Sequence, residues 1–262
     1  MHTLLVYFLG ILFTITGYHN DVDSIPKTDS LQFKTIVFSR SARDCEKCNI
    51  EMKFSYPQIT GAGNSGIRDS LNNRIRRYVL RSVYRGIKVS DPRQIYGHLV
   101  QEYDSLIKIF PDYPHHKWYL NRTVKIIAHT STYISLEMEE DVFTGGAHPL
   151  STRNYETFNE NTGQKLSLHG IIKTGMMDTL LSISERIFRE TRSLSPDTSL
   201  KKAGFWFKNG QFHLNNNFAI TSKEVIFYFI PCEIAPYAWG PTLLKIPRNK
   251  LKDIVTAPFN AN

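Results

Sequence analysis

Segments with the residue types of β-strands follow one another in groups along this chain instead of alternating strictly with helical stripes, and that grouping limits the fold more than any other feature. Residues 31–38 and 50–56 have the composition of paired strands, and Pro57 with the Gly61, Gly63, Gly66 stretch is expected to break their sheet. Residues 118–127 and 133–143 flank a polar turn at 129–132 and predict a hairpin. Residues 151–158 and 165–168 flank Asn161, Thr162 and Gly163, where glycine accepts the positive φ of a tight turn. Residues 218–220 and 225–230 frame a short turn, and 243–246 form a last strand before a short terminal helix.

Helical spacing appears in three places. Ile67, Leu71, Ile75, Val79 and Val83 recur every four residues and predict one helix over 64–85. Asp91 is placed to cap a second helix with Pro92 in its first turn and Ile95, Leu99, Tyr103, Leu106 and Phe110 facing inward until Pro111. A third helix is predicted over 177–191. Eight or nine grouped strands with three to four helices predict an α+β fold of mostly antiparallel sheets in two closely packed modules, not a doubly wound parallel sheet.

The first seventeen residues contain no Lys, Arg, Asp or Glu, and residues 4–15 are almost continuously apolar. That run is shorter than the ~20 residues a membrane span needs and matches the ~7 to 15 of a secretory leader, so residues 1–17 are expected to direct export. A buried strand or a retained anchor is the alternative. Tyr18 stands where a lipidated cysteine would follow Ile15, Thr16 and Gly17, so no thioether anchor forms there. Residues 18–30 read as a mobile polar leader. Cys45 and Cys48 precede a strand instead of opening a helix, which argues against a thioredoxin-type site and leaves a local disulfide or free thiols; no second Cys or Cys/His pair completes a zinc site. Cys232 is expected to be a buried apolar residue.

Charge adds a direction. Thirty-two Lys and Arg against 24 Asp and Glu give +8, which favours an anionic partner or surface. Arg68, Arg74, Arg76, Arg77, Arg81 and Arg85 crowd the first helix, and Arg74, Arg76 and Arg77 are candidate anion contacts, although a charged helix face is often simply solvated. The glycines at 61–66 lack the Lys and Ser/Thr of a phosphate loop, and Gly63, Asn64, Ser65, Gly66 lacks the spacing of a nucleophile elbow.

Two denser constellations remain. Thr144, Gly145, Gly146, Ala147, His148 and Pro149 follow a strand directly: the glycines allow a sharp reversal with open amides, and Pro149 keeps His148 extended. His148 there is either a chemical group or a structural one. Residues 231–241 contain three prolines, so Tyr237 and Trp239 form a pre-organised aromatic platform with Glu233 as the single acid, or else a hydrophobic loop covering the sheet end.

These segments, with Phe158, Asn159, the run 162–168 and the run 218–229, resemble a bacterial envelope domain shared by the ectodomains of lysozyme-responsive anti-sigma factor V proteins and by PdaC-like peptidoglycan deacetylases. The resemblance covers about half the chain from Thr144 onward. The region 31–143 is similar to the module that accompanies that domain in the deacetylases. Where family members have a Tyr before the Glu, this chain has Cys232. The resemblance implies an exported protein with an accessory module at 31–143 and a second module at 144–258. The metal-binding Asp and His pattern of a polysaccharide deacetylase is missing from the sequence, so no metal, no cofactor and no catalytic domain are expected. Basic lysozymes would be repelled by a +8 chain at long range.

The expected role is a periplasmic or surface-exposed module binding cell-wall glycan or an envelope protein, with no nucleic-acid partner, and touching membrane only through an uncleaved leader. Gly145, Gly146, His148, Glu233, Tyr237, Trp239 and the three arginines are its candidate contacts. The alternatives are an envelope hydrolase with His148 and Glu233 as acid and base, or an inert structural subunit.

Overall fold

A computed structural model describes residues 31–41, 49–61, 65–84, 86–112, 116–256 and 259. The expected leader, its polar continuation and the Cys45, Cys48 pair lie outside the described residues. Five strands form the first sheet in chain order: β1 (Gln32–Ser41), β2 (Ile50–Gly61), β3 (Trp118–His129), β4 (Tyr133–Phe143) and β5 (Leu150–Asn159). Neighbours run antiparallel except β2 and β3, which are parallel from Ile50 opposite Trp118 to Ser55 opposite Thr123. A parallel pair cannot be closed by a tight turn. The crossover between these two strands holds α1 (Ser65–Val79) and α2 (Pro92–Ile109).

The helices obey their sequence signals with two exceptions. α2 begins with a full capping box: the Asp91 side chain accepts from the Arg93 amide, and the Gln94 side chain accepts from the Asp91 amide. Ile95, Leu99 and Tyr103 are buried, but Phe110 is exposed, because the helix ends at Ile109 and Phe110 closes it by donating its backbone N–H to the Leu106 carbonyl. α1 stops at Val79 instead of continuing to 85. Its stripe Ile67, Leu71, Ile75, Val79 seals the first core with Met52, Phe54 and Leu120, while Val83 packs there from irregular chain.

Proline and glycine act less sharply than expected. β2 runs through Pro57, which sits opposite Thr35, and reaches Gly61. The ladder to β3 ends at Ser55, so beyond it β2 has a free edge, the setting in which proline is tolerated. The expected strand at 165–168 is reduced to one bridge between Lys165 and Phe158, because Ser167 caps the short helix α3 (Leu168–Ile171) by accepting from the Gly170 amide. The turn before it carries Gly163 at φ 66°, whose carbonyl accepts from Ser70 Oγ of α1 at 3.0 Å.

The second sheet is antiparallel: β6 (Phe218–Ile220), β7 (Glu224–Phe229) and β8 (Thr242–Pro247), with β7 central. α4 (Met177–Thr191) covers one face, where Phe188 meets Phe205, Phe207 and Phe212 edge-on or tilted above Phe227 and Phe229. The other face of β7 turns Ile226 and Tyr228 toward Tyr155 of β5. Burial on both faces explains why β7 reads as an unbroken apolar run. The predicted terminal helix is a single 3-10 turn, Arg248–Lys250. The two sheets are also joined by polar contacts. Ser135 Oγ donates to the Ile220 carbonyl at 2.7 Å, and Asn217 bonds the Tyr155 amide and the Arg153 carbonyl. The architecture is α+β in two modules.

One buried cation fixes α1 to the sheet. Arg122 of β3 is 1% exposed; its Nη1 donates to the carbonyls of Val79 and Arg81 at 2.7 and 2.6 Å, and its Nε to Glu140 Oε2 at 2.6 Å. Arg81 closes on the other oxygen of Glu140 at 2.7 Å. These bonds satisfy carbonyls at the helix end and terminate it there. Removing one member of such a group leaves an uncompensated buried charge. Arg122→Met is therefore expected to lower unfolding free energy by about 3 to 5 kcal/mol, and Arg122→Met with Glu140→Met to recover most of it, both measured by denaturant titration.

Acid sensitivity follows from two carboxylates. Burial pushes the Glu140 and Glu156 carboxyls up, but Arg122 and Arg81 at the first, and Arg74 and Lys165 at the second, outweigh it and hold both below the ordinary value. A pKa lower in the folded than in the unfolded chain gives stability that is complete above the unfolded value of about 4.3 and is lost as pH falls through the folded one. Calorimetry is expected to show a melting temperature insensitive to these groups from about pH 7 to 5 and falling below about pH 4, with a smaller acid drop in Glu140→Gln.

Candidate functional site

The two sequence constellations meet. Residues 144–149 connect antiparallel β4 to β5, and Gly145 and Gly146 supply the reversal at φ 93° and 97°. This loop delivers His148 onto the ring of Tyr237, stacked at 4.0 Å between centroids and 19° between planes. Tyr237 Oη donates to the Pro149 carbonyl at 2.7 Å, so the phenol is pinned from both ends. Tyr237 and Trp239 share one 3-10 turn after Pro236.

Trp239 packs against the segment that follows α4. Its indole stands edge-on to Phe205 at 5.4 Å, and a Cβ placed on Gly204 would come within 2.9 Å of it. Gly204 is at φ 88°, so the residue is chosen both for its backbone and for the space it leaves. The amide of neighbouring Trp206 donates to the Ile234 carbonyl at 2.9 Å and ties this segment to the loop. Tyr237 is 38% exposed, Trp239 46% and Trp206 54%, and Leu150 after the histidine loop is exposed as well. The result is a rigid, solvent-facing aromatic edge with no cation in the 231–241 loop.

Glu233 stabilises that loop from within. Its Oε1 accepts from Asn215 Nδ2 at 2.9 Å and its Oε2 from the Ile230 amide at 2.8 Å. Among the described residues no hydrogen bond or ion pair joins Glu233 to His148; each is engaged separately, one in loop closure and one in stacking. Cys232 is exposed, not buried, because the tight turn closed by the Glu233 amide on the Ile230 carbonyl forces it to φ 65° and turns its side chain outward.

The arginine-rich helix divides. Arg74 is paired with Glu156 of β5, 2.7 Å from Nη2 to Oε1, with Lys165 on the same carboxylate at 2.8 Å. Arg81 is held by Glu140 and Arg68 by Asp69. Arg76 and Arg77 remain exposed; Arg76 donates to the Ser90 carbonyl at 2.9 Å, and among the described residues neither has an ion pair. Arg74 is thus engaged by a carboxylate, whereas the other two are not. Among the described residues, no group of three or more His, Cys, Asp or Glu side chains could hold a metal ion, and no helix is long and apolar enough to cross a membrane.

Sequence reasoning did not single out Trp206, Leu150 or Asn215. Trp206 was detectable: Phe205 and Phe207 are buried on either side of it, and in extended chain the residue between two inward neighbours faces out.

Comparison with known proteins agrees with this architecture. Residues 170–249 match the model of a protein family of unknown function, DUF3298, and residues 44–151 match that of Deacetylase PdaC. No curated protein matches the chain. A crystal structure of a DUF3298 family member from Bacteroides fragilis superposes with a TM-score of 0.70 at 18% identity, covering 89% of this chain and 96% of that one. A DUF3298 family protein from Pseudomonas aeruginosa gives 0.64 at 19% identity, covering 89% and 98%. The chain is thus similar over residues 44–151 to Deacetylase PdaC and over residues 170–249 to the DUF3298 family, and it shares the fold of the two DUF3298 structures.

Proposed function

We propose that the protein is exported and serves as a non-catalytic binding module of the cell envelope, meeting peptidoglycan glycan through the aromatic edge formed by His148, Tyr237 and Trp239. The observation that carries this reading is the His148, Tyr237 stack locked by the Tyr237 bond to Pro149. A ring fixed before binding loses little freedom when a sugar stacks on it, so more of the contact energy appears as affinity. The apolar leader at 1–17 supports placement outside the cytoplasm. The match to Deacetylase PdaC supports an envelope setting without transferring that protein's reaction. The separate engagement of Glu233 and His148 gives no support to their use as an acid and base pair.

The reading is tested by co-sedimentation with purified peptidoglycan sacculi. Tyr237→Ala combined with Trp239→Ala is expected to weaken retention about tenfold, since two stacking contacts of roughly 0.5 to 1.5 kcal/mol each are removed. Wild-type protein that stays in the supernatant sinks the glycan reading, and equal retention of the double variant sinks the aromatic edge. Gly204→Ala is expected to weaken retention in the same assay with both rings present, because its methyl would displace the Trp239 indole.

A further inference from the structure

α1 and the chain after it border a trough that the aromatic edge does not share. One part, of about 760 Å³, lies between the C-terminal half of α1 and the irregular chain after it, with Arg76, Arg77, Arg81 and Lys88 on its walls and Leu80 and Val89 among its lining. A second part, of about 430 Å³, continues between α1, β2 and the start of α2, lined by Tyr56, Gln58, Asn73 and Asp91 among others. The two meet at Asn73, Arg76 and Leu80.

Of these cations only Arg81 is consumed by an ion pair, with Glu140, and Arg76 has no more than the Ser90 carbonyl. Arg76 and Arg77 stand in the last turn of α1, where a cation ordinarily offsets the helix dipole and its open carbonyls. Arg122 already does that from inside the protein by bonding the Val79 and Arg81 carbonyls, and the Leu80 and Arg81 amides close on those of Arg76 and Tyr78. The single acid in either lining, Asp91, is held by the side chain of Arg93 at 2.7 and 2.8 Å and by its amide. Among the described residues, Arg77 and Lys88 have neither a hydrogen bond nor an ion pair, and Asn73 and Gln58 have unengaged amides. A cationic end that runs into amides and one aromatic ring has the chemistry to hold acidic groups and hydroxyls of one extended ligand.

We propose that this trough is a binding site for an acidic saccharide chain, in which Arg76, Arg77 and Lys88 take the anionic groups while Asn73, Gln58 and Tyr56 receive the sugar hydroxyls and rings. The site is built from the amino-terminal module alone and does not depend on the aromatic edge.

The test is calorimetric titration of the full chain with oligogalacturonate, against a neutral chito-oligosaccharide of equal length and inorganic polyphosphate. Oligogalacturonate is expected to bind, more weakly as salt is raised, and the neutral chain at least tenfold more weakly. Arg77→Glu alone and Arg76→Glu, Arg77→Glu, Lys88→Glu together are expected to lose affinity progressively, beyond tenfold for the triple variant. Asn73→Ala is expected to weaken oligogalacturonate several-fold and leave polyphosphate unchanged. All substitutions are at exposed positions, and an unaltered melting temperature confirms that the fold persists. The proposal is overturned by wild-type protein that ignores oligogalacturonate, or by Arg77→Glu that binds it equally well. Polyphosphate bound as tightly with Asn73→Ala silent on both ligands would reduce the trough to unspecific charge and overturn the saccharide assignment. Loss of binding in the Tyr237, Trp239 double variant would place the ligand at the other edge and overturn the trough.

Discussion

The buried guanidinium of Arg122 is the contact on which the amino-terminal module is organised. It joins β3 to β4 through Glu140 and holds the end of α1 through two backbone carbonyls, so one side chain sets where the helix stops and how it lies on the sheet. A lysine could not do this, because the three bonds diverge from two nitrogens of a planar fork. Desolvation lowers the Arg122 pKa, yet the carboxylate beside it keeps the buried charge compensated. The same arrangement decides the chemistry of the surface: because the inner arginine serves the helix end, the outer ones are left facing solvent.

Much of the fold was legible because its signals are local. The hairpin of β3 and β4, the extent of α4, and the Asp91, Pro92 start of α2 each follow from spacing, capping and turn residues within a few positions. What the sequence concealed depends on partners far along the chain. The stripe continuing to Val83 gives no hint that α1 ends at Val79, since the group that ends it is 43 positions away. Pro57 is tolerated in β2 only because β3 has already left that edge, a fact of topology and not of composition.

The site shows the same division. Gly145, Gly146, His148, Tyr237 and Trp239 stand out in the sequence, but their meeting requires β4, β5 and the loop after β7 to converge on one end. Cys232 was misjudged because apolar composition says nothing about a left-handed turn that turns a side chain outward. The run of six arginines concealed the largest distinction of all: Arg74 and Arg81 are consumed by carboxylates on β5 and β4, whereas Arg76 and Arg77, between them in sequence, are not.

The turn at Gly163 joins the two halves more closely than its length suggests. A Cβ there would press on Ser70 Cβ at 3.3 Å and on the Ile67 backbone at 3.4 Å, while the existing carbonyl bond to Ser70 already holds the gap shut. Any bulk at this position would work as a wedge, prising the cationic helix away from the strand end behind it. The second half of the protein therefore acts as a clamp on the first, and a single hydrogen atom in place of a methyl is what lets the jaws close.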